Sequence, residues 1–307
     1  MLVVLTGGTG GAKLIQGLSE EIDPSELAII CNTADDFVLH GLNISPDLDT
    51  IMYTLAGLAG IRGWGIQNDS FTVLTQLKQL GAETWFQLGD RDLATHVMRT
   101  RLLREGMPLS KVTDHLKTRF AVTATLLPMT DDTVETRVTT PQGEISFQEY
   151  FVKQRWEPEV KEIAYAGVEN SSPAPGVINA IRDASRIIIC PSNPVTSIGP
   201  ILAVSGIRNA IKTAHALVIG VSPMIGDSAI SGPAHKLMAA RGLEPSAVGA
   251  ARAYADLLDA FLIDAADEKL ADNIQSLGIQ VVATSIRMDS HAGKSRLARE
   301  VLALAGK

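Results

Sequence analysis

MLVVLTGGTGGAK, residues 1–13, decides the fold: a continuous apolar run of strand length ends at Thr6, and four glycines lead into a helical pattern over 12–20. LAIICN at 27–32 is a second apolar run, so the chain opens with a strand, a helix and a strand. A unit of this kind implies a parallel sheet with helices packed on its faces. Short runs without alternation suit strands covered on both sides. The rhythm returns in the second half with RIIIC (186–190), ALVIGVS (216–222), AFLID (260–264) and IQVVAT (279–284), which makes six parallel strands. The expected architecture is α/β, a Rossmann-like doubly wound, mostly parallel sheet.

The middle departs from that rhythm. Residues 51–80 and 92–119 are helical in pattern, with Ser110 as an N-cap after Pro108, and 85–88 reads as a short strand. Residues 121–128, 134–140 and 144–147 are rich in alternating or β-branched positions, with Pro141-Gln142-Gly143 as a turn. The expected organisation is therefore a core from 1–50 and 174–307, holding nucleotide and metal. Residues 51–173 form an inserted helical and small antiparallel β subdomain for substrate.

Composition narrows the function classes. A chain of 307 residues with 46% hydrophobic and 20% charged residues can bury a full core. A formal charge of −7 argues against broad binding to nucleic acid or an anionic membrane, while leaving room for a local phosphate pocket. No run of eighteen apolar residues occurs, and no charged leader precedes the first strand. Cys31 and Cys190, the two cysteines, exclude a disulfide framework and point to a cytoplasmic protein. The six histidines lack zinc spacing, and His96 and His235 fall in helical patterns as ordinary buried or surface residues.

Chemistry-bearing residues gather after the strands. Gly7, Gly8, Thr9 and Gly10 stand between the first strand and a helix N-terminus, either a phosphate cradle or a tight turn. Lys13 occupies the place of the third glycine in a dinucleotide fingerprint, and no Walker lysine follows, so a nicotinamide-dependent dehydrogenase is poorly supported. Asn32-Thr33-Ala34-Asp35-Asp36 follows the second strand, and Pro46-Asp47-Leu48-Asp49 opens a helix. Each acid pair alone could be a cap. Four carboxylates within fifteen positions beside a glycine loop favour a magnesium–phosphate site. Arg91, flanked by Asp90 and Asp92, is either a surface ion pair or a phosphate clamp. Ser192, Asn193 and Ser197 follow one later strand, and Ser222, Asp227 and Ser231 follow the next. Trp64, among glycines in RGWGI (62–66), either stacks on a planar ring or packs in its loop.

Taken together, GGTGGAK (7–13), NTADD (32–36), HGLNISPDLDT (40–50), RGWGI (62–66), LGDRDLATH (88–96), LLPMTDD (126–132), PSNPVTSIGPIL (191–202) and SPMIGDSAISGPA (222–234) resemble 2-phospho-L-lactate transferase. This is the CofD/FbiA family of deazaflavin coenzyme F-420 biosynthesis. The resemblance implies a magnesium-dependent transfer of a phospholactyl or phosphoenolpyruvyl group. The donor would be guanosine-diphosphate-linked and the acceptor the ribityl hydroxyl of the deazaflavin Fo, with release of GMP. It implies Asp49 and Arg91 as catalytic and Fo-binding residues, with Trp64 and His40 beside them, and Asp36 and Asp49 for Mg2+. It assigns the guanylyl donor to Gly7, Gly8, Thr9, Gly10, Asn32, Ser192, Asn193, Ser197 and Ser222, and it implies a homodimer. A related group shares the glycine loop and the paired acids but acts as a nucleotide- or nucleotide-sugar-binding regulatory factor. Its members follow those acids with a glycine/serine-rich stretch, where this chain has Phe37-Val38-Leu39-His40. Fluorescence titration with Fo separates the two readings.

Overall fold

The computed structural model describes residues 1–60, 63–226, 228–229 and 232–304. Seven strands form the central sheet: β1 (Leu2–Thr6), β2 (Leu27–Cys31), β3 (Thr125–Pro128), β4 (Arg186–Ile189), β5 (Leu217–Val221), β6 (Ala260–Asp264) and β7 (Gln280–Thr284). Their order is β7-β6-β5-β4-β1-β2-β3, and every pair is parallel. This is the doubly wound order, reversing between β1 and β4. In register, Leu5 faces Ile30 on one side and Ile189 on the other.

The continuous apolar runs have a simple cause. Val3, Leu5, Ile30 and Ile187 enter the hydrophobic cluster on one face, while Leu2, Val4, Ile29 and Ile188 enter the cluster on the other. Side chains alternate across a strand, so a strand buried on both faces needs an apolar residue at every position. Helix α1 (Gly8–Glu21) and helix α6 (His291–Ala303) cover the second face through Leu14, Leu18, Leu297 and Val301.

Differences from the sequence reading concentrate in the middle. Residues 125–128, expected among the antiparallel strands, are β3 and pair in parallel with β2, Ile29 opposite Leu126. β-Branched content marks a strand but not the direction of its partner. The small antiparallel sheet consists of Glu135–Thr140 flanked by Gly143–Ser146 and Glu162–Ala166, the last of which had no reading. Residues 85–88 are irregular; Trp85, Phe86 and Leu88 pack against the hairpin of Phe37–Leu39 and Leu42–Ile44. That hairpin turns at His40 and Gly41, both with positive φ (52° and 75°), as a two-residue turn of the primed type requires.

Between the hairpin and β3 lie α2 (Pro46–Leu55), α3 (Thr72–Gln79), α4 (Asp90–Arg104) and α5 (Leu109–Arg119), so that the helix expected over 51–80 is interrupted by non-helical backbone at 56–60 and 63–71. Ser110 is not the cap of α5. It lies inside the first turn, its N–H and hydroxyl both donated to Asp131, at 2.6 and 2.8 Å. The starts of α3 and α4 are capped by carboxylates from each other's first turn or its approach. Asp90 accepts from the N–H groups of Thr72 and Val73, and Asp69 accepts from those of Arg91 and Asp92.

Candidate functional site

The tips of β1 and β4 meet at the reversal point, where doubly wound sheets bind ligands. The Ser192 hydroxyl donates to the Gly7 carbonyl at 2.8 Å. A Cβ on Gly10 would fall 2.5 Å from the Pro191 carbonyl oxygen, and one on Gly11 would fall 1.8 Å from Thr6 Oγ1. Gly10 is therefore required by the close approach of the Pro191 loop, and Gly11 by its packing on the Thr6 side chain at the end of β1. Asn193 Oδ1 accepts from the N–H groups of Val195 and Thr196, at 2.9 and 3.3 Å, folding its loop so that Ser197 lies against Gly7. From the small sheet, the Tyr165 hydroxyl donates to the Val195 carbonyl. Thr9 abuts Gly63, which brings the loop carrying Trp64 to the same mouth, with Trp64 55% exposed. Ser222 is fully buried and spends its hydroxyl on its own turn with Met224. Asp227, Ser231 and Arg62 lie outside the described residues.

The acids converge directly beneath that mouth. Asn32, at the end of β2, offers its amide nitrogen to Asp35 Oδ2 (3.1 Å), Asp47 Oδ2 (3.0 Å) and the Thr196 carbonyl (3.2 Å). Its oxygen accepts from Ala34 N–H, which fixes the amide orientation. Asp47 also accepts the N–H of Gly8 at 2.8 Å, so a carboxylate from α2 sits at the N-terminus of α1. Burial pushes the Asp47 carboxyl up to about 6 against the hydrogen bonds from Asn32 and Gly8. Burial, then the charges of Asp47 and Asp36, raise Asp35 well above the usual carboxylate range. Asp36 is raised too, by burial foremost, although Ser45 and Arg99 oppose the shift. Asp35 Oδ1 and Asp36 Oδ1 are sealed from solvent without a hydrogen-bond partner.

Asp49 has a different partner. Arg99 of α4 forks onto both its oxygens, Nη1 to Oδ2 at 3.0 Å and Nη2 to Oδ1. The same Nη1 lies 3.1 Å from His96 Nδ1, and His96 Nε2 lies 3.3 Å from Asp92 Oδ1. The Tyr53 hydroxyl is 2.8 Å from both Asp92 Oδ1 and Thr95 Oγ1. Arg91, by contrast, is exposed at the start of α4, its guanidinium on the Gln67 carbonyl at 3.2 Å. His40 is exposed at the hairpin tip.

Two places could hold a cation. Asp49, Asp92 and His96 offer ligand atoms within 4.8 Å of one another, but Arg99 donates to both Asp49 and His96, and its positive charge fills that space. The other is offered by Asp35 and Asp36, adjacent in sequence, both raised by burial and each with one oxygen lacking a hydrogen-bond partner, the kind of oxygen donor a hard divalent ion takes up. Among the described residues Arg99 is the one buried lysine or arginine facing the cluster of Asp35, Asp47, Asp49 and Asp92, leaving negative charge in excess.

The sequence reading missed Arg99, His96, Asp92 and Tyr53. A signal for the α4 group was present. Asp92, Thr95, His96, Arg99 and Thr100 recur at the spacing of a core-facing stripe, and all are buried, yet none is apolar. A polar stripe on the inner face of a helix marks a buried network rather than packing.

A sequence model of the family described as 2-phospho-L-lactate transferase CofD matches residues 2–302. The chain is 45% identical to a phosphoenolpyruvate transferase of Streptomyces griseus, over 99% of this chain and 98% of the relative. It is 40% identical to a 2-phospho-L-lactate transferase of Methanosarcina mazei, over 98% and 99% respectively. Among solved structures, a UPF0052-family protein of Bacillus halodurans superposes with a TM-score of 0.65 at 16% identity, over 98% of each chain, a likeness of fold. Among the described residues no helix is long and apolar enough to cross a membrane.

Proposed function

From the premise that the chain belongs to the CofD family of 2-phospho-L-lactate transferases, we propose that it moves a phospholactyl or phosphoenolpyruvyl group from a guanosine-diphosphate-linked donor to the ribityl hydroxyl of Fo. The new bond joins the ribityl oxygen to the phosphorus bearing the acyl portion. The bond that breaks is the diphosphate bridge, and GMP leaves. Relatives carry both the phosphoenolpyruvate and the phospholactate name, so the acyl portion is the variable part of the reading.

The observation that carries it is the convergence of buried carboxylates with unpartnered oxygens beneath the joined tips of β1 and β4. Asp35 and Asp36 would hold Mg2+, with Asp49 beside them. When bound, the ion would neutralise the oxygens of the transferring phosphoryl group. Asn193 and Ser197 would present amide and hydroxyl groups to the guanylyl diphosphate, beside a glycine loop that Ser192 holds through Gly7 and Asp47 through Gly8. Asp49 accepts the hydrogen bond of the attacking hydroxyl and orients it, the kind of alignment an in-line transfer depends on. Trp64, whose loop meets Thr9, and the exposed Arg91 would be the groups for the deazaflavin. Incubation of the protein with Fo, Mg2+ and each guanylylated donor, followed by product mass, tests the reading; the phosphoester adduct of Fo is expected. Absence of any adduct, with Fo fluorescence unchanged by the protein, would favour the regulatory-factor reading.

A further inference from the structure

The geometry points to Arg99 as a positioning residue of this transfer, setting the plane of the Asp49 carboxylate while His96 holds the guanidinium from behind. The inference rests on the transferase reading for its kinetic consequence, not for its geometry.

Arg99 is 2% exposed and reaches Asp49 across two helices. A buried guanidinium is a poor device for stability alone. An apolar side chain of similar volume often serves as well or better, because the ion pair must first lose its water. What an arginine supplies and a leucine or lysine does not is a planar fork that fixes both oxygens of a carboxylate at once.

The groups behind it restrict the fork further. Arginine has no acceptor, so the 3.1 Å approach of Nη1 to His96 Nδ1 makes the imidazole the acceptor. The other ring nitrogen, Nε2, lies 3.3 Å from Asp92 Oδ1 outside hydrogen-bond geometry and is sealed from solvent without a partner. Asp92 in turn meets the Tyr53 hydroxyl. Tyr53 stands four residues after Asp49 on α2, and Asp92, His96 and Arg99 share one face of α4. The hydrogen bonds therefore tie α2 to α4 at two points, Asp49 to Arg99 with His96 behind it and Tyr53 to Asp92, while His96 Nε2 and Asp92 are neighbours without a hydrogen bond. Every member is buried. A carboxylate forked by a guanidinium that is itself held from behind cannot turn without dislodging a neighbour, which is what a group aligning a nucleophile needs.

The test compares Arg99→Lys, His96→Asn, His96→Leu and, as a surface control on the same helix, Arg101→Lys. Initial rates with Fo, donor and Mg2+ are read alongside thermal melting. Arg99→Lys keeps the charge and loses the fork, so kcat should fall about 100-fold while KM for Fo and donor stays within about threefold. His96→Asn keeps an acceptor near the Nδ1 position and should stay near wild type, whereas His96→Leu should lose at least about tenfold in kcat. A kcat for Arg99→Lys within about twofold of wild type, a loss confined to KM, or equal rates for the two His96 variants would overturn the proposal. Should Arg99→Lys not fold, the His96 pair decides. An activity-free readout separates this inference from the functional reading. Selective 15N-arginine spectra should show Arg99 with separately resolved, slowly exchanging Nη protons that merge in Asp49→Asn. A wild type making no product sinks the transferase reading, while a freely rotating Arg99 guanidinium sinks the positioning role.

Discussion

Replacing the Asn32 amide nitrogen by oxygen, Asn32→Asp, changes almost no volume and inverts the polarity of the most connected point in the site. The nitrogen lies 3.0–3.2 Å from two carboxylate oxygens and one carbonyl oxygen. Hydrogen bonds to charged groups are worth about 1.5–3 kcal/mol each, and two are lost. Two like charges about 3 Å apart would repel by about 5 kcal/mol at an effective dielectric constant near 20, so the folded protein takes up a proton instead. The net cost at neutral to alkaline pH is about 4 kcal/mol, a large part of the 5–15 kcal/mol typical of a folded domain. The new carboxyl has a folded-state pKa above its unfolded value, so its penalty is present at high pH and relieved as pH falls toward the unfolded value. Urea unfolding midpoints of wild type and variant, without divalent ions, at about pH 8 and about pH 5 measure this. A penalty under about 1 kcal/mol at the higher pH, or one that grows on acidification, would refute the reasoning.

The raised carboxyls of the native site make the same kind of statement. Asp47, moved from 3.8 to about 6, costs about 3 kcal/mol once the pH has passed its folded value. Metal-free protein should therefore melt at lower temperature as pH rises from about 4.5 to about 7, and Mg2+ should recover the loss; a metal-free melting temperature that rises over that window would contradict it. Gly10→Ala forces a methyl to within 2.5 Å of the Pro191 carbonyl oxygen, which should cost about 1–3 kcal/mol of stability and weaken donor binding in a calorimetric titration. Tyr165→Phe leaves the Val195 carbonyl without its donor, so it should raise KM for the donor and leave KM for Fo unchanged. Arg91→Ala removes an exposed side chain and should change stability by less than about 0.5 kcal/mol while raising KM for Fo.

Much of this arrangement was legible before any coordinates. The apolar runs at 2–6, 27–31, 186–189, 217–221 and 260–264 are fully or largely buried strands, as uninterrupted hydrophobicity implies. Glycines placed just after β1 proved to be points where another loop passes within van der Waals contact. Strand 125–128 was misplaced because its partner, β2, lies far back in the chain, and pattern carries no address. The site divided in the same way. Asp35, Asp36, Asp47 and Asp49 announce themselves by density, and Asn32 by its place in their motif. Arg99 and His96 do not, because their meaning depends on which face of α4 turns toward α2, which tertiary packing decides. Arg91 drew attention through its acidic neighbours, yet Asp90 binds the N–H groups at the start of α3 and Asp92 accepts from the Tyr53 hydroxyl.

The central claim is that one cleft joins a guanylylated phosphoester donor to a deazaflavin alcohol. Mass spectrometry of a reaction containing the purified protein, Fo, Mg2+ and guanylylated phospholactate or phosphoenolpyruvate tests it directly. The account predicts stoichiometric GMP and an Fo phosphoester in the presence of Mg2+, with both lost in Asp35→Asn and Asp36→Asn. Recovery of unchanged Fo with every donor, or undiminished turnover in those two variants, would contradict it.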